Sequence, residues 1–240
     1  MIAFRPPAGR TFAYSVTVAT TSSAELPGTE PVTPSPPVEL RSEQLVLPSA
    51  RPDEIRVQVT ITPPGAATRT YVARFDRAAQ LTAIDRVEGI PTEALGDLGL
   101  TEVFPAAAGA PPDRGLRAGD TWDIDERVRL PDAPSAVSLT GRGKLVELGV
   151  VDGHRVATVH SSTSLPLTTT LTSTAGIQRL DGSQTTTLDA SYDVTDGSVV
   201  SGTALTIGRF ALVLSPPAGT RGDPLAGHLT VEVRTSIERS

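Results

Sequence analysis

The chain has no cysteine and no asparagine, one methionine, one tryptophan and a single lysine, Lys144. Without cysteine there are no disulfides, no thiolate chemistry and no zinc–thiolate site. That absence leaves the compartment open, because many bacterial envelope proteins also lack disulfides. With one lysine, nearly all positive charge is arginine, a bias that suits a GC-rich genome. Losing Cys and Asn also removes thermolabile groups, as thermophilic proteins do. Five Phe, three Tyr and one Trp leave little material for sugar-stacking platforms. That scarcity argues against a glycoside hydrolase built on paired carboxylates. No run of eighteen apolar residues occurs, so no segment reads as a membrane-spanning helix.

The charge that is present is net acidic, −6 with a pI near 5.1. This balance argues against nucleic acid or an anionic membrane surface as the main partner. The opening MIAFRPPAGR is too short and too polar for a signal peptide, so the signal segment of an exported protein would lie outside this chain. A Thr/Ser-rich, Lys-poor composition suits an extracytoplasmic protein of the cell envelope or a secreted one. With 240 residues the chain can bury a full core, and β-rich chains of this length form single domains.

Period-two alternation is what the sequence has in abundance. Phe12, Tyr14, Val16 and Val18 face one way; Thr11, Ser15 and Thr17 face the other. Ile55, Val57, Val59 and Ile61 alternate with Arg56, Gln58, Thr60 and Thr62, and Leu229, Val231, Val233 and Ile237 alternate with Thr230, Glu232, Arg234 and Glu238. Strands with one dry and one wet face belong to antiparallel sheets. Further strands are expected near 38–47, 70–76, 80–86, 136–149, 154–163, 165–180, 184–194, 198–207 and 209–214. Asp152-Gly153, Asp181-Gly182 and Asp196-Gly197 are read as hairpin turns between them. The fold class is therefore mainly β: one large curved antiparallel sheet, either a half-barrel or two packed meanders. One or two short helices are expected near 91–104, where Leu95, Leu98 and Phe104 approximate helical spacing before Pro105.

Two Pro-rich stretches, 26–40 and 105–118, read as irregular connections, since proline cannot donate to a central ladder. The second joins two halves, about 10–90 and about 119–240, of a single domain spanning 1–240. Each half carries an aromatic–Asp pair, Phe75-Asp76 and Tyr192-Asp193, on a hairpin. We read the echo as architectural.

Residues that bear chemistry are sparse. His154 and His160 lie six apart on one strand, about 20 Å when extended, too far to share a metal. Asp120, Asp123 and Asp125 in GDTWDIDE are weak candidates for a cation, but the loop lacks calcium-binding spacing and reads more simply as a turn into an edge strand. No metal and no cofactor is therefore expected. No nucleophile motif or phosphate-binding loop is present: GRGK at 141–144 lacks the rest of a P-loop and reads as a strand bend.

Six pieces together resemble a family of actinobacterial exported proteins and lipoproteins defined only as a domain of unknown function. They are FRPPAGRTFAYSVTV, VFPAA, LRAGDTW, LVELGVVDGHRVATV, SYDVTDGSVVSG and LTVEVRTSIE, which span most of the chain. The layout is also distantly similar to the half-barrel lipid carriers of bacterial envelopes. That resemblance implies a curved antiparallel sheet closed by helices around an apolar cavity, with no particular site residues. This chain departs from such carriers in having less helix and no lipid-anchoring Cys.

The leading expectation is a non-enzymatic envelope protein that binds an apolar small molecule or lipid on the inner face of the sheet. Tyr14, Phe75 and Tyr192 would line that ligand from the strands and Leu95, Leu98 and Phe104 from the helix side. The alternative is a structural or interaction module that meets a protein partner through loop 26–40 or the sheet edges. An unrecognised hydrolase stands third, because no nucleophile, base and orienter are legible together.

Overall fold

Alternating apolar and polar residues give strands whose unlike faces must be buried on one side only, and the chain builds little else. The structure, a computed structural model, describes residues 5–27, 36–62, 64–65, 67–76, 81–88, 112, 114–128, 137–173, 176–217, 219–220 and 222–240. Eleven strands are formed: β1 (Thr11–Glu25), β2 (Val38–Leu47), β3 (Glu54–Thr62), β4 (Arg69–Asp76), β5 (Leu81–Glu88) and β6 (Thr121–Val128). After these come β7 (Val137–Val151), β8 (His154–Ser173), β9 (Gly176–Asp193), β10 (Val199–Ser215) and β11 (Leu225–Arg239). No helix occurs among the described residues, and the helical turns expected near 91–104 lie outside them.

All eleven strands belong to one antiparallel sheet in the order β5-β4-β3-β2-β1-β11-β10-β9-β8-β7-β6. Two meanders, β1–β5 and β6–β11, are therefore joined through the β1–β11 ladder, in which Val16 stands opposite Ile237. The sheet is not closed into a barrel. Its edges β5 and β6 nevertheless approach within 8 Å between Cα atoms, with no ladder between them. A sheet whose opposite edges meet must be strongly curved, as accumulated strand twist favours.

Register fixes which side chains turn inward. On β9 Leu188, Ala190 and Tyr192 point in, opposite Ala204 and Gly202 of β10 and Ser161, Val159 and Ala157 of β8. Of the residues expected to face the core, Phe12, Tyr14, Val16, Val57, Val59 and Val233 are buried, while Ile55 and Val231 are half-buried. Each such apolar side chain contributes about 1.5–3 kcal/mol on burial.

Three sequence expectations about strand limits are corrected. Asp181-Gly182 is not a turn but lies inside β9, and a Cβ on Gly182 would collide with the Arg209 carbonyl of β10. That glycine serves a close backbone approach, which in sequence looks like a turn signal. The segments 154–163 and 165–180 are not two strands: β8 runs unbroken through Pro166 to Ser173, and 176–180 already belongs to β9, which pairs back on it. The proline is tolerated because it lies beyond the last β7–β8 pair, Thr140 with Ser164, where β9 is its one partner. Likewise 198–207 and 209–214 are one strand, β10. The other two Asp-Gly pairs do turn the chain. Asp152 and Gly153 both take positive φ, 48° and 79°, as a type I′ hairpin requires.

Candidate functional site

Tyr14 and Tyr192 are buried on the inner face and share one apolar cluster with Phe12, Trp122, Leu145 and Ile237. Phe75 is also buried but sits opposite Ile55, on β4, one strand from the β5 edge. The two aromatic–Asp hairpins thus occupy unlike places in the sheet. Leu95, Leu98 and Phe104 lie outside the described residues.

The acidic run around β6 is engaged locally. The Asp120 carboxylate accepts a hydrogen bond from the Arg117 backbone at 2.8 Å, with Arg114 3.9 Å away. Asp123 pairs with Arg142 across the ladder at 3.3 Å, both fully in solvent, and Asp125 is exposed on the same outer face. Among the described residues no group of three or more His, Asp or Glu could hold a metal ion.

A polar cluster that the sequence reading did not single out lies at one end of the sheet. In SYDVTDGSVV, two side-chain-capped turns follow one another. Asp193 Oδ1 accepts from the Thr195 backbone at 2.8 Å, and Asp196 Oδ1 accepts from the Ser198 backbone at 2.9 Å. Three other parts of the chain converge on these turns. His154 at the start of β8 lies 2.9 Å from Asp193 Oδ2 through Nδ1. Arg239 of β11 donates to Ser198 Oγ at 2.9 Å and lies 3.5 Å from Asp193 Oδ2. The segment before β1 adds the Arg5 backbone, which donates to the Asp196 carbonyl at 2.7 Å, and Arg10, 3.8 Å from its carboxylate. Both guanidinium groups flank Phe12, with ring-centroid distances of 5.2 Å for Arg10 and 5.9 Å for Arg239.

Electrostatics follow from this crowding. Burial raises the Asp193 pKa, but hydrogen bonds from Thr195 and His154, and the His154 charge, outweigh it and hold the carboxyl below the usual carboxylate range. Burial also pushes the Tyr14 phenol well above its ordinary value, so it stays a neutral donor, to the Val199 carbonyl at 3.3 Å.

Serine, histidine and aspartate are all present here, yet they are not wired for nucleophilic catalysis. The Ser198 hydroxyl donates to Asp196 at 2.5 Å, and Arg239 stands between it and His154, 3.0 and 3.2 Å from the two ring nitrogens. A nucleophile needs a hydrogen bond to its base, and Ser198 has none to His154. The arrangement is a clasp that ties the β9–β10 turn to β8, β11 and the segment entering β1.

Beyond the clasp, the inner face changes character. Ser161 and Thr163 of β8, Gln184 and Thr186 of β9, Thr206 of β10 and Thr235 of β11 are all buried. Thr186 and Thr206 hydroxyls are 2.9 Å apart across the β9–β10 ladder. Small residues, Gly141, Gly143, Ala190, Gly202 and Ala204, occupy neighbouring in-facing positions. The middle of the face is therefore shallow and hydroxyl-bearing, set between apolar flanks.

One local clue to the clasp is legible in the chain: two aspartates, Asp193 and Asp196, set among Tyr192, Val194, Val199 and Val200. Its partners sit 39 and 41 residues away or more, so only the fold reveals it. Compared with known proteins, the chain matches no family model, and no curated sequence is significantly similar to it.

Proposed function

We propose that this chain is a non-enzymatic, extracytoplasmic cell-envelope protein that holds an apolar ligand, such as a lipid, against the inner face of its curved sheet. The observation that carries the reading is the inner face itself. It is apolar along its flanks, lined at its middle by small residues, and bent by a sheet whose edges meet without pairing. Such a surface suits a long apolar molecule better than a compact polar substrate. The resemblance to half-barrel envelope carriers points the same way. Native mass spectrometry of freshly purified protein, with titration of a fluorescent acyl probe, tests it. Bound lipid mass and saturable probe binding are expected; bare protein that ignores the probe would sink the carrier reading.

A second reading, an interaction module, is favoured by one surface feature. After a bulge between Leu145 and Glu147, β7 exposes Val146, Leu148 and Val150, the last 68 % accessible. Leu148 and Val150 border a pocket of about 560 Å³ that Leu116, Leu145, Val156 and Val194 also line. Defined multimers in the same mass spectra would support this reading. No helix among the described residues is long and apolar enough to cross a membrane.

A further inference from the structure

Two polar atoms of the inner face are buried without any hydrogen-bond partner: Trp122 Nε1 and Thr163 Oγ1. The residues are 8 % and 2 % exposed. Buried donors left unpaired are costly and rare, so a pair of them on one face calls for an explanation.

Their placement is set by two glycines. Trp122 of β6 stands opposite Gly143 of β7, and a Cβ on Gly143 would strike the indole at Cε2, Cζ2 and Nε1. The ring therefore lies flat across β7, its N–H edge over the glycine. The next strand, β8, sets Ser161 opposite Gly143 and Thr163 opposite Gly141. Register thus sets the indole of β6 and the hydroxyl of β8 on one face, on either side of the Gly141 and Gly143 positions of β7. None of the described in-facing side chains around them, from Gly141 to Leu145 on β7, Val159 to Leu165 on β8 and Gln184 to Leu188 on β9, is charged.

Resting on the ligand reading above, we propose that Trp122 Nε1 and Thr163 Oγ1 form the polar docking point for the uncharged acyl carbonyl of a lipid ester. The indole N–H donates to the carbonyl oxygen, and the threonine hydroxyl donates to the second ester oxygen. The apolar flanks take the acyl chain. A free carboxylate is disfavoured here, because its charge would be buried with no counter-charge among these side chains.

The experiment compares three fluorescent probes of equal chain length: an acyl methyl ester, the free fatty acid, and an alkane without a carbonyl. Each is titrated against the wild-type protein, Trp122→Phe and Thr163→Val. The wild type is expected to bind the ester more tightly than the acid at pH 8. Each variant should weaken the ester about tenfold, the worth of one buried hydrogen bond, and leave the alkane unchanged. Thr163→Val should also melt higher than the wild type without ligand, since it removes an unpaired buried hydroxyl. The proposal is overturned if ester and alkane respond alike to both variants, or if the acid binds more tightly than the ester. A lower melting temperature for Thr163→Val with unchanged ester binding would likewise overturn it and assign the hydroxyl to an ordered water. If no probe binds the wild type, the ligand reading itself falls, a result distinct from these.

Discussion

Arg239 of β11 donates to Ser198 Oγ at 2.9 Å while its other terminal nitrogen lies 3.5 Å from Asp193 Oδ2. One guanidinium thereby fastens the last strand to both ends of the β9–β10 turn. The contact is well shielded: the Arg239 side chain is 12 % exposed and that of Asp193 is 7 %.

Removing one partner of so buried a pair takes away the nearest opposite formal charge, leaving Asp193 with His154 and Arg239 with Ser198. Asp193→Asn is expected to lower unfolding stability by about 3 kcal/mol, and Arg239→Met by a similar amount. The double variant should cost clearly less than the sum, because neither charge is then stranded. Urea unfolding of the four proteins measures this coupling; additive losses would show that the two groups act independently.

The same carboxylate sets an acid sensitivity. Its folded pKa is depressed below the unfolded value near about 4, so its stabilising contribution is fully present above that pH. As pH falls through the folded pKa the contribution is lost. The wild-type melting temperature should therefore drop on acidification below about pH 4, and Asp193→Asn should show a flatter profile over that window. Calorimetry between neutral and strongly acid pH reads the difference.

Gly143→Ala tests the indole's seat directly. The added methyl occupies the space of the Trp122 ring, forcing a shift that overpacked sites make costly, about 1–3 kcal/mol. Trp122 is the one tryptophan of the chain, so its fluorescence reports the ring alone. A buried, blue emission in the wild type and a red shift in the variant are expected. Unchanged emission would mean that the ring does not rest on Gly143.

Much of the sheet could be read from the chain because burial on one face imposes its own period. Val57 and Val59 announce their side of β3 through Arg56 and Gln58 between them, and both are buried. The limits of the long strands were harder. Gly182 reads as a turn because glycine marks both turns and close backbone contacts, and the gap expected between 163 and 165 falls inside one continuous strand, β8. The clasp was out of reach, because an arginine at 239 and a histidine at 154 carry no local sign that they meet two aspartates in a distant turn. Trp122 and Thr163 were likewise invisible, as a missing partner is a property of three dimensions.

The unpaired meeting of β5 and β6 makes the sheet a split ring. Every other neighbouring pair of strands is stitched by a ladder, so widening the ring there must break rows of backbone hydrogen bonds. At the split, among the described residues, it breaks none. Slow breathing of the molecule should concentrate at this seam, and hydrogen exchange should run fastest along the outward amides of these two strands. On the ligand reading proposed above, the split is where a long, thin guest would enter sideways, without threading the clasped end.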